Sequence, residues 1–208
     1  DNPTITGYEF HVINLVTLAC PKYLIIDKLR ETLEELRTRM PEAKFPFRAR
    51  VVLAGSEIDD PAFTKLLEMC GAMVVADRYC FGSFPSREEI GIRPGETAFD
   101  AVCRHYLHTN QCARFMSGDK IDQRHRELER LVREFHADGI IYESMKFCEF
   151  WSYEKVLASH VLQNELNVPC CTIEKEYTLG SAGQLRTRFQ AFVESLEIKR
   201  IHGKEARS

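Results

Sequence analysis

Cys148 lies in the run Glu143-Ser144-Met145-Lys146-Phe147-Cys148-Glu149-Phe150-Trp151, between an apolar stretch and a helical one. A thiol placed there meets the free backbone amides of a helix start, with Lys146 two residues away. Both favour thiolate, the form that binds iron. The plain alternative is a buried cysteine packed against Phe147 and Trp151. Cys80 lies in a second such run, Ala76-Asp77-Arg78-Tyr79-Cys80-Phe81-Gly82-Ser83, where Gly82 permits a tight turn or a close backbone approach to a ligand. It is either a second metal ligand or a residue lining the site. A loop pinned by polar contacts of Asp77 and Arg78 gives the same pattern. His108 and Cys112 form a third candidate pair near a helix end, though surface positions explain them as well.

A further group closes the chain. Glu174 and Glu176 end an apolar run, and Gly183-Gln184 begin a helix. Amides at a helix start can hold an anionic group such as a phosphate, while helix capping and solvated arginines offer the simpler account. Gly82, Ser83, Glu174, Gly183 and Gln184 are therefore the candidate substrate or phosphate-binding positions. Other catalytic signatures are missing from the sequence. It has no Walker loop, no nucleophile elbow and no His-Glu-x-x-His. Gly55-Ser56-Glu57 lacks the second and third glycines of a dinucleotide fingerprint.

The elements that must position these residues follow from periodicity. Residues 4–40 read as two helices, the first capped by Thr4 or Thr6 and the second carrying Leu24, Ile25, Leu29, Leu33 and Leu36 at helical spacing. Pro41-Glu42-Ala43-Lys44-Phe45-Pro46 reads as a linker. From residue 50 the rhythm changes. Short apolar runs at 50–55, 72–76, 138–142 and 170–174 predict four buried parallel strands, with helices between them near 61–70, 96–108, 119–136, 150–166 and 183–198. Asp60-Pro61 marks one helix start by cap and first-turn proline. The alternation predicts an α/β fold: a Rossmann-like parallel sheet of about four strands with helices on both faces, preceded by a helical segment. The domain reading is 1–46 for the helical segment and 47–208 for the α/β domain. Ligands of such sheets sit beyond the carboxyl ends of the strands. That rule selects the loops 55–60, 77–87, 143–150 and 174–184, which hold nearly all the chemically unusual residues.

Composition narrows the setting. The formal charge of −3 leaves no basic field to recruit nucleic acid or an anionic membrane surface. No apolar run reaches the length of a membrane span. Eight cysteines without a Cys-x-x-Cys pair or a compact ferredoxin run argue for a reducing, cytoplasmic setting in which most thiols are small buried hydrophobes. The start at Asp1, without an initiator Met or a signal-peptide pattern, reads as a piece of something longer.

Taken together, the motifs resemble the D-component of 2-hydroxyglutaryl-CoA dehydratase, in the family that joins 2-hydroxyacyl-CoA dehydratases and benzoyl-CoA reductases. The matching segments are Gly55 to Asp59, Val75 to Ser83, Asp138 to Ile141, Lys146 to Glu149, Ile173 to Tyr177 and Gly183 to Glu194, covering roughly residues 50–198. The resemblance implies a subunit of an oxygen-sensitive acyl-CoA enzyme with a 4Fe–4S cluster. Its metal ligand here would be Cys148, with Cys80 a second cluster-binding candidate. The implied reaction is radical dehydration of a 2-hydroxyacyl-CoA, or ATP-dependent reduction of an aromatic acyl-CoA such as benzoyl-CoA. Implied partners are a homologous second subunit, an ATP-dependent activator or electron-donor protein, and the acyl-CoA substrate. A non-catalytic partner subunit with a relay cluster, or none, is the alternative. Two departures stand out. Glu149 replaces the family's usual Asp after the cysteine, and family subunits are nearly twice this length. The ligand set in this chain would therefore be incomplete.

Overall fold

A computed structural model describes residues 3–40, 47–178, 180 and 182–205. Two helices come first, α1 (Gly7–Ala19) and α2 (Lys22–Thr38). Thr6 caps α1 and forms a reciprocal capping box with Glu9. The break expected at 41–46 lies outside the described residues. Then follow β1 (Ala49–Gly55), α3 (Pro61–Met69), β2 (Ala72–Arg78), α4 (Ala98–Thr109), α5 (Gly118–Glu134), β3 (Gly139–Met145), α6 (Glu149–His160), β4 (Cys170–Lys175) and α7 (Ala182–Glu205). Asp60 caps α3 as its sequence predicts, its carboxylate accepting the Ala62 amide with Pro61 in the first turn. α6 runs on into a π-helical turn, Val161–Glu165.

The four strands form one parallel sheet in the order β2-β1-β3-β4. Alternation along each strand splits the core into two layers. Val51, Leu53 and Ile141 face α3 and α7, packing on Phe63, Leu67, Phe189 and Val193. Val52, Ala54, Ile140 and Tyr142 face α5 and α6, packing on Leu128, Leu131, Trp151 and Ala158. All four sheet residues of that second set are buried, or nearly so, which is why these strands read as continuous apolar runs. No helix among the described residues is long and apolar enough to cross a membrane.

One irregularity matters for the site. The β1–β2 register passes from Val51↔Val74 to Val52↔Ala76, so Val75 is an extra residue. A strand alternates faces at every residue, and one extra residue inverts everything after it. Val74 packs in the α3/α7 layer, but Ala76 packs in the α5/α6 layer. Arg78, two residues on, is carried to that same layer, where its guanidinium lies 5.6 Å from the Trp151 ring centroid.

α1 docks unlike an ordinary amphipathic helix. Its buried residues are Gly7, His11 and Asn14, while Phe10, Val16 and Leu18 stay substantially exposed. The amides of Gly7 and Tyr8 donate to the Glu68 carboxylate of α3 at 2.7 and 3.1 Å. His11 Nε2 donates to the Ile58 carbonyl at 3.0 Å and Nδ1 accepts from Thr64 at 2.9 Å. Burial lowers the His11 pKa, consistent with this neutral tautomer. α2 buries none of its residues.

Candidate functional site

The chain leaves β1 in one direction to reach β2, and returns past β1 in the other direction to form β3. The reversal makes a crevice between the carboxyl ends of β1 and β3, the place where open parallel sheets hold ligands. Gly55 and Glu143 are paired across it. Gly55 has φ +150°, and a Cβ there would meet the Glu143 carbonyl oxygen at 2.2 Å, so only glycine fits. The next residue, Ser56, ties three loops together. Its amide and hydroxyl both donate to Glu143 Oε2, at 3.1 and 2.8 Å. Its hydroxyl accepts the Met145 amide at 2.8 Å, and its carbonyl accepts the Cys80 amide at 3.0 Å.

Glu143 is fully buried, and its Oε1 has no hydrogen-bond partner among the described residues. Burial raises its pKa to about 7, against the bonds from Ser56 and the charges of Lys175 and Lys155. A carboxyl so placed can take or release a proton near neutrality. In the sequence its only mark is a carboxylate that ends the apolar run Gly139-Ile140-Ile141-Tyr142.

The loop after β3 turns sharply at Phe147, which has φ 68° and is 98% exposed. Left-handed backbone is costly for a residue of this shape, and such strain is typical of ligand-binding turns. It places Cys148 as the N-cap of α6, where its carbonyl accepts the Ser152 amide at 3.0 Å and its side chain makes no capping bond. Cys148 is half-buried against the α5/α6 layer. Cys80 is half-buried against the same layer. Burial pushes the Cys80 thiol up to about 12, helped by Cys112, Glu57, Cys148 and Glu143 nearby. The chain thus gathers Cys80, Cys112 and Cys148 at one region of the carboxyl edge. The sequence pairs Cys112 with His108, and the structure does not. His108 is exposed in the last turn of α4, where its carbonyl accepts Lys120 Nζ at 2.6 Å. No three Cys, His, Asp or Glu side chains among the described residues are near enough together to enclose a metal ion.

The remaining candidates fall elsewhere. Gly82 packs against Asp77, whose Oδ2 would stand 2.8 Å from an added Cβ. The Ser83 amide donates to Asp77 Oδ1 at 2.9 Å, and Arg87 pairs with the same carboxylate at 3.5 Å. The pinning group of this loop is therefore Asp77 with Ser83 and Arg87, while Arg78 bonds to Gln111 instead. Glu174, Gly183 and Gln184 are exposed at the β4 side. β4 lies three strand spacings, about 14 Å, from β2, so this loop shares the sheet edge with Cys80 without meeting it. Lys155 links it to β3, donating to Ser144 Oγ at 2.8 Å and standing 3.8 Å from Glu174.

The doubly wound α/β domain sets thiols and a buried carboxyl around its switch point, the place where ligands of such folds bind. The model of the family described as 2-hydroxyglutaryl-CoA dehydratase, D-component, matches residues 1–196, and the chain belongs to that family. YjiM of Escherichia coli (strain K12), whose name describes a dehydratase subunit, is 26% identical over 198 residues, 93% of this chain and 50% of its own length. The (R)-phenyllactyl-CoA dehydratase beta subunit of Clostridium sporogenes is 26% identical over 172 residues, 82% of this chain and 43% of its own. The chain spans about half the length of these curated relatives.

Proposed function

We propose that this chain forms part of a subunit of an iron–sulfur acyl-CoA dehydratase, in which Cys148 supplies a thiolate to a 4Fe–4S cluster. The observation that carries the reading is the seat of Cys148: an α6 N-cap beside the switch-point crevice, after a strained turn, with Cys80 near it and Cys112 near Cys80. The donor set fits such a cluster in kind, since thiolates are its usual ligands. It fits only in part by number, and the other ligands would come from outside this chain. When bound, the cluster would supply low-potential electrons to the thioester of a 2-hydroxyacyl-CoA.

The residues of this chain have defined tasks in that reading. Cys148, at the N-cap of α6, would supply the thiolate. Glu143 and Ser56 hold the loops after β1, β2 and β3 in register. Glu143 keeps an exchangeable proton within the crevice. Phe147, Phe150, Tyr153 and Val156 leave apolar surface around Cys148, which suits cover by another domain or a second subunit. That both relatives are named as subunits supports a partner.

The test is anaerobic assembly with the partner subunit, followed by iron and sulfide quantification and an assay for 2-enoyl-CoA formed from a series of 2-hydroxyacyl-CoA thioesters. Iron together with enoyl-CoA formation is expected. Iron with reduction of benzoyl-CoA alone would move the chain to the reductase branch of the resemblance. An iron-free, inactive assembly would overturn the proposal.

A further inference from the structure

Between the loop after β2 and the α4–α5 connection lies a second cavity of about 280 Å³. Its walls include Phe84, Tyr106 and Trp151, with Cys80 and Cys112, and the buried Arg78 also lines it. This is room for a small organic molecule and little more.

Arg78 is the unusual feature. It is 1% exposed, and a guanidinium stays charged even when burial lowers its pKa, as here. Buried charges are ordinarily paired. Arg78 has no carboxylate partner among the described residues. The nearest candidates are committed elsewhere: Glu154 accepts from Arg124 at 2.7 Å, and Glu127 pairs with Arg87 and Arg130 at 2.9 and 2.8 Å. The Arg78 fork, Nε and Nη2, instead donates to Gln111 Oε1 and the Gln111 carbonyl, at 3.2 and 3.3 Å. Both bonds are long for N–H···O contacts, and neither acceptor is charged. Its Nη1 has no partner at all among the described residues, and neither has the hydroxyl of buried Tyr142, which lies in the field of the same guanidinium. The ring centroids of Trp151 and Phe84, 5.6 and 5.9 Å away, soften the charge without neutralising it. The extra residue in β2 sends this cation into the α5/α6 layer rather than the α3/α7 layer.

We infer that this cavity is a binding site for a small organic carboxylate, whose charged end pairs with the Arg78 fork in place of the Gln111 contacts and whose apolar end lies against Phe84, Tyr106 and Trp151. A planar carboxylate matches a guanidinium fork with two charge-assisted bonds. Aromatic walls select an organic acid over an inorganic anion. The inference does not depend on Cys148 holding a cluster.

Trp151 is the chain's one tryptophan, so its fluorescence reports the site directly. The chain is titrated with propionate and hexanoate, with propionamide and hexanamide as uncharged isosteres, and with sodium chloride at matched ionic strength. Saturable change with the carboxylates and none with amides or chloride is expected. Gln111→Glu, at a partly exposed loop position, places a carboxylate on the fork permanently and should weaken hexanoate binding at least about tenfold, a loss of about 1.4 kcal/mol. Equal response to acids and amides, response to chloride alone, or no response to any would overturn the inference. So would undiminished hexanoate binding in a folded Gln111→Glu protein. Should that variant not fold, the acid–amide comparison on the native chain decides alone.

Discussion

Ser56 delivers both its amide and its hydroxyl to one oxygen of Glu143, at 3.1 and 2.8 Å, across the junction of the two central strands. The other Glu143 oxygen is left buried and without a partner among the described residues. Two donors on one side do not offset the cost of burying a full charge, and the carboxyl responds by holding its proton.

This response has a sign. Burial raises the Glu143 pKa from 4.5 to about 7, so the folded chain binds this proton more tightly than the unfolded one. The stability it contributes is complete below the unfolded value and is lost as pH rises through the folded one. Glu143→Gln keeps an acceptor for Ser56 and removes the titration. Relative to this variant, the native chain should lose up to about 3 kcal/mol between roughly pH 5 and pH 8. Denaturant midpoints of the two proteins across that range give the comparison. Parallel curves would show that Glu143 does not titrate there.

Glu154 should behave in the opposite sense. Burial alone would raise its pKa, but the nearby His125 imidazole and the Arg124 ion pair bring it down to about 2. Its contribution is present above the unfolded value of 4.5 and is lost as pH falls toward about 2. Glu154→Gln strands a buried guanidinium and should cost about 3 kcal/mol at neutral pH. The gap from the native chain should narrow steadily in acid, as read by chemical denaturation. A constant gap would contradict the assignment.

The junction itself can be tested by one methyl group. Gly55→Ala sets a Cβ 2.2 Å from the Glu143 carbonyl oxygen, on a backbone that L residues rarely adopt. A loss of more than about 3 kcal/mol, or failure to fold, is expected. Gly91→Ala, with open space around it, should stay within about 0.5 kcal/mol. Similar melting temperatures for the two variants would mean that the β1–β3 crevice is looser than described.

The sheet was readable from the sequence because β1, β2 and β3 are buried on both faces over most of their length and show as apolar runs, each followed by a glycine or a charged residue, while the half-buried edge strand β4 keeps a shorter run. Thr6 and Asp60-Pro61 announced their helices through cap chemistry that acts over three or four residues. Longer-range features were not announced. The apolar residues of α1 suggest a greasy face, yet the helix docks through His11, Gly7 and Tyr8 onto Glu68, Thr64 and Ile58, contacts that periodicity cannot foresee. The Val75 bulge, which decides where Arg78 points, leaves no mark in an apolar run. Cys112 meets Cys80 only through the path of the chain between α4 and α5. The place of Cys148 was legible because its signal is local: a residue between a strand end and a helix start.

Iron content and turnover of a Cys148→Ser variant, assembled anaerobically with its partner subunit, decide whether this thiol holds a cluster. Cys170→Ser is the control, since that thiol lies 3.6 Å from Ser159 Oγ and packs against the core. Cys148→Ser should lose its cluster and its dehydration activity, while Cys170→Ser should keep nearly all of its iron. Native iron content and native turnover in the Cys148→Ser protein would contradict that expectation.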